Sequence, residues 1–318
     1  MVDEAGRNNG KEYQHQVIIS KNFYLGAYEI TQAQYYSIMG VYPSEHDGSK
    51  IGESRDNLPV ELVSYDDIVA PTDGFLAKLN KHFKDTNQLP TGYKFDLPTE
   101  AQWEYACRAG TSSALNNGKQ LSNPKGVSEE IDEIAWYKSN SDTKTHAVGM
   151  KKSNNWGIYD MHGNVAEWCL DAFYNDELTT QVKNDCKCAI RGGAYFYEPE
   201  KLRSASRGAN SPLSVSSGIG FRVALVSSSN QIDKIGKETN RKEAIKAENT
   251  IKAGIKISVS VNGVKFPLIG CPAGEYTIGS PEKETGRDLN EVQRKITIEK
   301  GFYVGKYISL EAKIAKNK

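Results

Sequence analysis

The sequence predicts a mixed helix-and-strand chain in which short regular elements support long polar loops. Three observations lead there. The strand-like stretches are brief and β-branched or aromatic, as in Gln16-Val-Ile-Ile-Ser20 and Phe23-Tyr-Leu-Gly-Ala-Tyr-Glu-Ile30. Helix starts are marked by capping boxes, with Thr31 and Gln34, Ser64 and Asp67, and Thr99 and Gln102 each three residues apart. The stretch Asn154–Cys169 is punctuated by Gly157 and Gly163 and anchored by Trp156, Ile158, Met161 and Trp168. At 318 residues the chain fits one large or two ordinary domains.

Taken in order, residues 13–30 read as a strand pair broken near Lys21-Asn22. The helix opened by Thr31 stops at Gly40. A polar loop covers 42–56, and Leu58-Pro-Val-Glu-Leu-Val63 is a short extended piece. The helix after Ser64 is disturbed at Pro71-Thr-Asp-Gly74 and resumes with Phe75, Leu79 and Phe83 on one face. In the helix after Thr99, Trp103, Ala106 and Cys107 form one buried stripe, which makes Cys107 a small core residue rather than a nucleophile. Residues 110–134 read as loop, and Ala135-Trp-Tyr137 and Thr145-His-Ala-Val148 as short extended pieces. His146 and His162 have no metal-ligating partners at useful spacing, so structural roles are expected of both. Alternation puts Cys186, Cys188 and Ile190 on one strand face, where a two-thiol motif without further soft ligands is a weak metal signal. Arg191, Arg203, Arg207 and Arg222 crowd a Gly- and Ser-rich region. Their planar forks suit pairing with Glu100, Glu104 or Glu167 to pin long loops.

Asp160 and Glu167 bracket the turn His162-Gly163-Asn164. Two chemistries fit this spacing. A sharp turn between two acids offers carboxylate and carbonyl oxygens of the kind calcium takes. A strand-turn-strand whose acids pair with arginines satisfies the same residues.

The run Trp156-Gly-Ile-Tyr-Asp-Met-His-Gly-Asn-Val-Ala-Glu-Trp-Cys169 resembles the signature of the formylglycine-generating enzyme (sulfatase-modifying factor) family. Leu97–Gly110, Ile190-Arg-Gly-Gly-Ala-Tyr195, Leu202–Arg207 and Gly218-Ile-Gly-Phe-Arg222 agree in order and kind, so the likeness spans about residues 6 to 226. The resemblance implies an α+β, C-type-lectin-like formylglycine-generating-enzyme fold, with small twisted antiparallel sheets, two main helices and extensive ordered loop. It also implies a structural calcium site on the Asp160 side chain, the Gly163 and Val165 carbonyls and the Glu167 side chain. Oxidising members use two cysteines shortly after the Arg-Gly-Gly motif to bind copper(I), whose soft ligation needs thiolates. Residues 194–207 here contain no cysteine, and Tyr197 or its neighbours stand where the first thiol would fall.

The end of the chain changes character. Residues 227–255 are Ser-, Lys- and Glu-rich, as in a charged linker. Ile255–Val261 alternates as a strand into a Val261-Asn-Gly-Val264 turn. Gly286-Arg287, Gln293, Ile296-Thr-Ile298, Lys300 and Phe302-Tyr-Val-Gly-Lys-Tyr307 then restate Gly6-Arg7, Gln14, Val17-Ile-Ile19, Lys21 and Phe23-Tyr-Leu-Gly-Ala-Tyr28. The expected organisation is therefore a family unit at 1–226 without its first strand, a linker at 227–255, and the truncated start of a second repeat at 256–318. The strand at 265–279 is expected to dock in cis into the first unit, leaving 286–318 loosely attached.

Lys+Arg and Asp+Glu both number 40, which gives no basis for nucleic acid or an anionic membrane as partner. No apolar run matches a bilayer span and the first residues are not a signal peptide. The expectation is a non-catalytic module that binds a protein or small ligand through Tyr195, Tyr197, Glu198, Arg207 and Asn210, with calcium and without copper. The alternative is an oxidase, or the substrate-recognition domain of one. The compartment stays open.

Overall fold

The computed structural model describes residues 15–48, 52, 54–89, 92–173, 187–228 and 251–278. Its first half contains β1 (His15–Ile19), β2 (Phe23–Gly26), α1 (Gln32–Met39), α2 (Tyr65–Val69), α3 (Phe75–Asp85), β3 (Tyr93–Asp96), α4 (Glu100–Arg108), α5 (Glu129–Asp132) and β4 (Ala135–Trp136). Then come β5 (His162–Gly163), β6 (Ala166–Phe173), β7 (Lys187–Arg191), β8 (Arg207–Asn210), β9 (Ile219–Gly220), β10 (Ala224–Ser227), β11 (Lys256–Val261), β12 (Val264–Cys271) and β13 (Gly274–Ile278).

The helices begin where the sequence says they should. Thr31, Ser64 and Thr99 each cap the backbone N–H three residues on, and Gln34, Asp67 and Gln102 return the bond to the cap's own N–H. Gly40 ends α1 at φ 74°, a left-handed residue that costs glycine little. β1 and β2, by contrast, are not paired with each other. β1 lies against β13, while β2 sits inside a five-stranded sheet ordered β11-β12-β2-β10-β3 and ends at Gly26, short of Ile30. A second sheet runs β8-β7-β6-β9, and β4 and β5 form a short parallel pair. The stretch 110–134 includes the one-turn α5, and Thr145–Val148 is irregular rather than a strand. Both departures involve segments too short for any periodicity to register.

The helices α1, α2 and α3 bury Tyr35, Ile68, Phe75, Leu79 and Phe83 against Phe95 and Phe266 of the large sheet and Phe221 just before β10. α4 buries Trp103, Ala106 and Cys107 against Met161, Cys169, Leu25 and Ile269. The expected stripe on α4 is therefore real, and its thiol lies in the core. The small mixed sheets, few helices and long ordered loops are an α+β arrangement. Cys186 and residues 286–307 lie outside the described residues.

Candidate functional site

The stretch 154–169 runs through the middle of the fold as a turn feeding β6. Gly163 has φ 79°, and a Cβ there would lie 2.0 Å from the carbonyl oxygen of Trp136, so only glycine lets the two segments touch. Asp160 and Asn164 also adopt positive φ, which their short polar side chains tolerate better than most.

Glu167, on β6, is fully buried and fully engaged. Its Oε2 accepts from Trp103 Nε1 at 2.7 Å and Arg222 Nε at 2.6 Å, and its Oε1 accepts from Arg222 Nη2 at 2.6 Å. The same guanidinium donates to the carbonyls of Gly26 (3.0 Å) and Tyr159 (3.0 Å), so one arginine ties β2, the central turn and β6 together. Asp160 is different. Its Oδ2 accepts from Gly149 N at 2.7 Å, but its buried Oδ1 has no hydrogen-bond partner among the described residues. Burial, opposed by that hydrogen bond and by Arg222, raises its carboxyl to about 6.

Glu29 completes the cluster, and nothing in the sequence pattern marked it. Its Oε1 accepts from Val165 N at 3.0 Å and its Oε2 from Asn164 Nδ2 at 2.8 Å. Burial, reinforced by Asp160 and Glu167, pushes its carboxyl well above the ordinary range. Three buried carboxyls thus share one guanidinium. Lys151 adds a further positive charge near Asp160, and protons or a cation can take up the negative charge that remains. For calcium, the orphaned Asp160 Oδ1 is a fitting hard ligand, and Glu167 Oε1 keeps a lone pair beyond its one bond to Arg222.

A second ionic layer lies beside the first. Arg191 pairs with Glu104 and donates to the carbonyl of Ser206, with Glu100 Oε1 at 3.5 Å from its Nε. Arg207 forks onto Glu100 at 2.8 and 2.5 Å, and Arg108 pairs with Glu104 at 2.9 Å. The Arg191 and Arg207 pairs are of the kind the sequence suggests, and together they tie both ends of the 192–206 loop to α4, whereas Arg108 is not among the arginines it singles out. Arg203 also donates through Nε to the carbonyl of Glu200.

The expected binding residues divide into two groups. Tyr195, Tyr197 and Glu198 share the loop after Gly192-Gly193. Tyr195 is buried, with its hydroxyl 3.4 Å from Ser217 Oγ and His46 edge-on at 5.2 Å. Phe196 and Tyr197 are exposed by 38% and 36%, enough for both rings to contact a partner. Glu198 pairs with Lys138 at 2.6 Å and accepts from Gly126 N at 2.8 Å. Arg207 belongs to the ionic layer, its guanidinium occupied by Glu100 and over the Phe173 ring. Asn210 pairs across the ladder with Cys188, three residues or about 10 Å further from the loop. The histidines are structural too. His162 Nδ1 donates to the Leu202 carbonyl and Nε2 accepts from Asn116 N, and burial drives its pKa down to about 4. His146 stacks on Trp136 at 3.9 Å. Cys107 is buried, which pushes its thiol up to about 12.

This architecture, a curled α+β frame around a Trp- and Gly-rich turn, belongs to a defined class. Residues 3–226 match the model of the sulfatase-modifying factor enzyme 1-like domain, and the chain is a member of that family. It is 33% identical over 207 residues to the chaperone protein LppX of Paenibacillus barcinonensis, covering 52% of this chain and 68% of that one. It is 32% identical over 145 residues to the mouse formylglycine-generating enzyme, covering 40% of this chain and 38% of the enzyme. The structure of PvdO from Pseudomonas aeruginosa superposes with a TM-score of 0.53 at 26% identity, covering 71% of this chain and 88% of that one.

Proposed function

We propose that this protein is a non-catalytic sulfatase-modifying-factor-like domain that presents the 194–202 loop to a protein partner. One observation carries the reading. The loop that follows Gly193 is Ala-Tyr-Phe-Tyr-Glu-Pro-Glu-Lys-Leu, with no thiol to hold copper(I). Cys107, Cys169, Cys188 and Cys271 are all buried, and burial pushes the thiols of Cys107, Cys169 and Cys271 above their ordinary values, against thiolate formation. The exposed Phe196 and Tyr197 offer rigid aromatic contact area at small entropic cost. A protein is favoured over a small ligand because the relative matched over 68% of its length bears the name of a chaperone.

The test is copper(I) titration followed by oxygen uptake with a cysteine-containing peptide. No stoichiometric copper binding and no peptide-dependent oxygen uptake are expected. Copper-dependent oxidation of the peptide cysteine would establish the oxidase instead.

The same reading includes a structural calcium ion at the Asp160 end of the buried cluster, supported by the orphaned Oδ1 and the surplus of carboxyls. Glu167 is a poor probe of it, because its substitution breaks the Arg222 pair whether or not calcium binds. Asp160→Asn is the cleaner variant. Calcium should raise the melting temperature of the wild type over that in chelator by mass action, and should do so much less for the variant. A wild type that melts identically with calcium and with chelator removes the ion from the proposal.

A further inference from the structure

We propose that the edge formed by β1 and β2 is a docking surface whose occupant is the opening hairpin of the repeat that follows, so that successive repeats interlock. The sequence assigns the hairpin to the downstream repeat: it directly precedes 286–307, which restate 6–28. The packing assigns it to the upstream unit. β12 lies between β11 and β2, with Leu268 opposite Gly26, Ile269 opposite Leu25, Gly270 opposite Tyr24 and Cys271 opposite Phe23. β13 continues along β1 from Ile19–Gly274 to His15–Ile278. Sequence membership and structural membership therefore differ by one hairpin.

The contact is a core rather than an edge-on touch. Val261, Phe266, Leu268, Ile269 and Cys271 are each exposed by 1% or less, and they enter both hydrophobic clusters of the upstream unit. Phe266 stands edge-on to Phe83 of α3 at 6.3 Å. Three polar ties fix the register: Ala27 N donates to the Pro267 carbonyl at 2.9 Å, Gln34 Nε2 to the Lys265 carbonyl at 2.7 Å, and Ala273 N to Asn22 Oδ1 at 2.6 Å. Taking the hairpin away would leave the β2 and β1 edges without those ladder partners and wet two cores, the condition under which sheet edges recruit strands.

The connection permits the docking. β10 ends at Ser227 and β11 begins at Lys256, so residues 228–255 bridge them. A connection of that length reaches roughly 30 Å even at random-coil dimensions, and the entropy of closing a loop grows only slowly with length. The hairpin also folds locally: six register pairs join β11 to β12 through the Asn262-Gly263 turn, where both residues have positive φ. Because 293–307 restate the sequence of the acceptor, the hairpin has two cognate edges in one chain, and we assign it to the upstream one.

The test uses the full chain with Gln16→Cys and Thr277→Cys, positions opposite each other in the β1–β13 ladder. Mild oxidation should give a monomer whose peptide map contains a 16–277 disulfide. Free thiols at both positions in folded protein, or a 16–277 link only between two copies, would overturn the assignment. Should this variant fail to fold, hydrogen exchange on the unaltered chain decides. The amides of 268–271 are expected to exchange at least about a thousandfold more slowly than random coil, as ladder-protected groups do, and random-coil rates would refute the docking. A chain stopping at residue 285 should keep that protection. Its loss would mean that the downstream edge is the true acceptor.

Discussion

The buried ionic frame and the 194–202 loop, which joins β7 to β8, are built on opposite principles. In the frame, Arg191, Arg207 and Arg222 each take a carboxylate partner and backbone or aromatic contacts as well. In the loop, Phe196 and Tyr197 stand exposed, and Glu198 makes an ion pair that solvent reaches. Buried charges that lose a partner are costly, whereas exposed pairs contribute about 0–1 kcal/mol. The difference teaches which residues this fold cannot change and which it can. The frame carries residues of the family resemblance, and the loop carries the exposed rings on which the proposed partner contact rests.

The largest expected effect comes from breaking the frame. Arg222→Ala leaves Glu167 buried and uncompensated, at a cost of about 3–5 kcal/mol. Trp103→Ala removes the other Glu167 donor and a wholly buried ring, at a similar cost of about 3–5 kcal/mol. Urea unfolding should show both variants near or beyond the limit of stability. If either keeps wild-type stability, the frame does not hold the fold.

A smaller effect sharpens the comparison through pH. Asp171 accepts from Glu100 N at 2.6 Å at the start of α4, and burial, with Glu100 nearby, raises its carboxyl to about 6. A carboxyl that binds its proton more tightly when folded adds stability at low pH, and that stability is lost as pH rises from about 4 through 6. Asp171→Asn keeps the acceptor and removes the titration. The gain of the variant over wild type should therefore grow across this window to about 1–3 kcal/mol at pH 7. A difference that is flat between pH 4 and 7 would show that Asp171 ionises as it would in water.

Much of the frame was legible in the sequence because it rests on local rules. The three capping boxes, the Trp103 stripe and the Asn262-Gly263 turn depend on residues within one turn of each other, and all of them stand in the structure. The arginine–glutamate pairs could be anticipated as a set, because four arginines crowd one Gly- and Ser-rich region and planar forks suit carboxylates. Glu29 could not: its partners Asn164 and Val165 lie 135 and 136 residues away, and a buried acid leaves no periodic trace. A strand at 265–279 was expected at the first unit, but that β1 pairs with its 274–278 end rather than with β2 was hidden for the same reason. Arg207 was grouped with the loop because it lies close in sequence, although its charge is already used by Glu100.

The most direct test of the division between frame and loop is the smallest effect of all. Tyr197 donates its backbone N–H to the Ala194 carbonyl and accepts from Lys138 N through its own carbonyl, so Tyr197→Ala preserves both bonds and removes only the exposed ring. Unfolding of this variant in urea at pH 7 should give a free energy within about 0.5 kcal/mol of wild type, as for surface positions without special roles. A loss of about 2 kcal/mol or more would make the ring part of the frame, and would contradict a loop free to serve a partner.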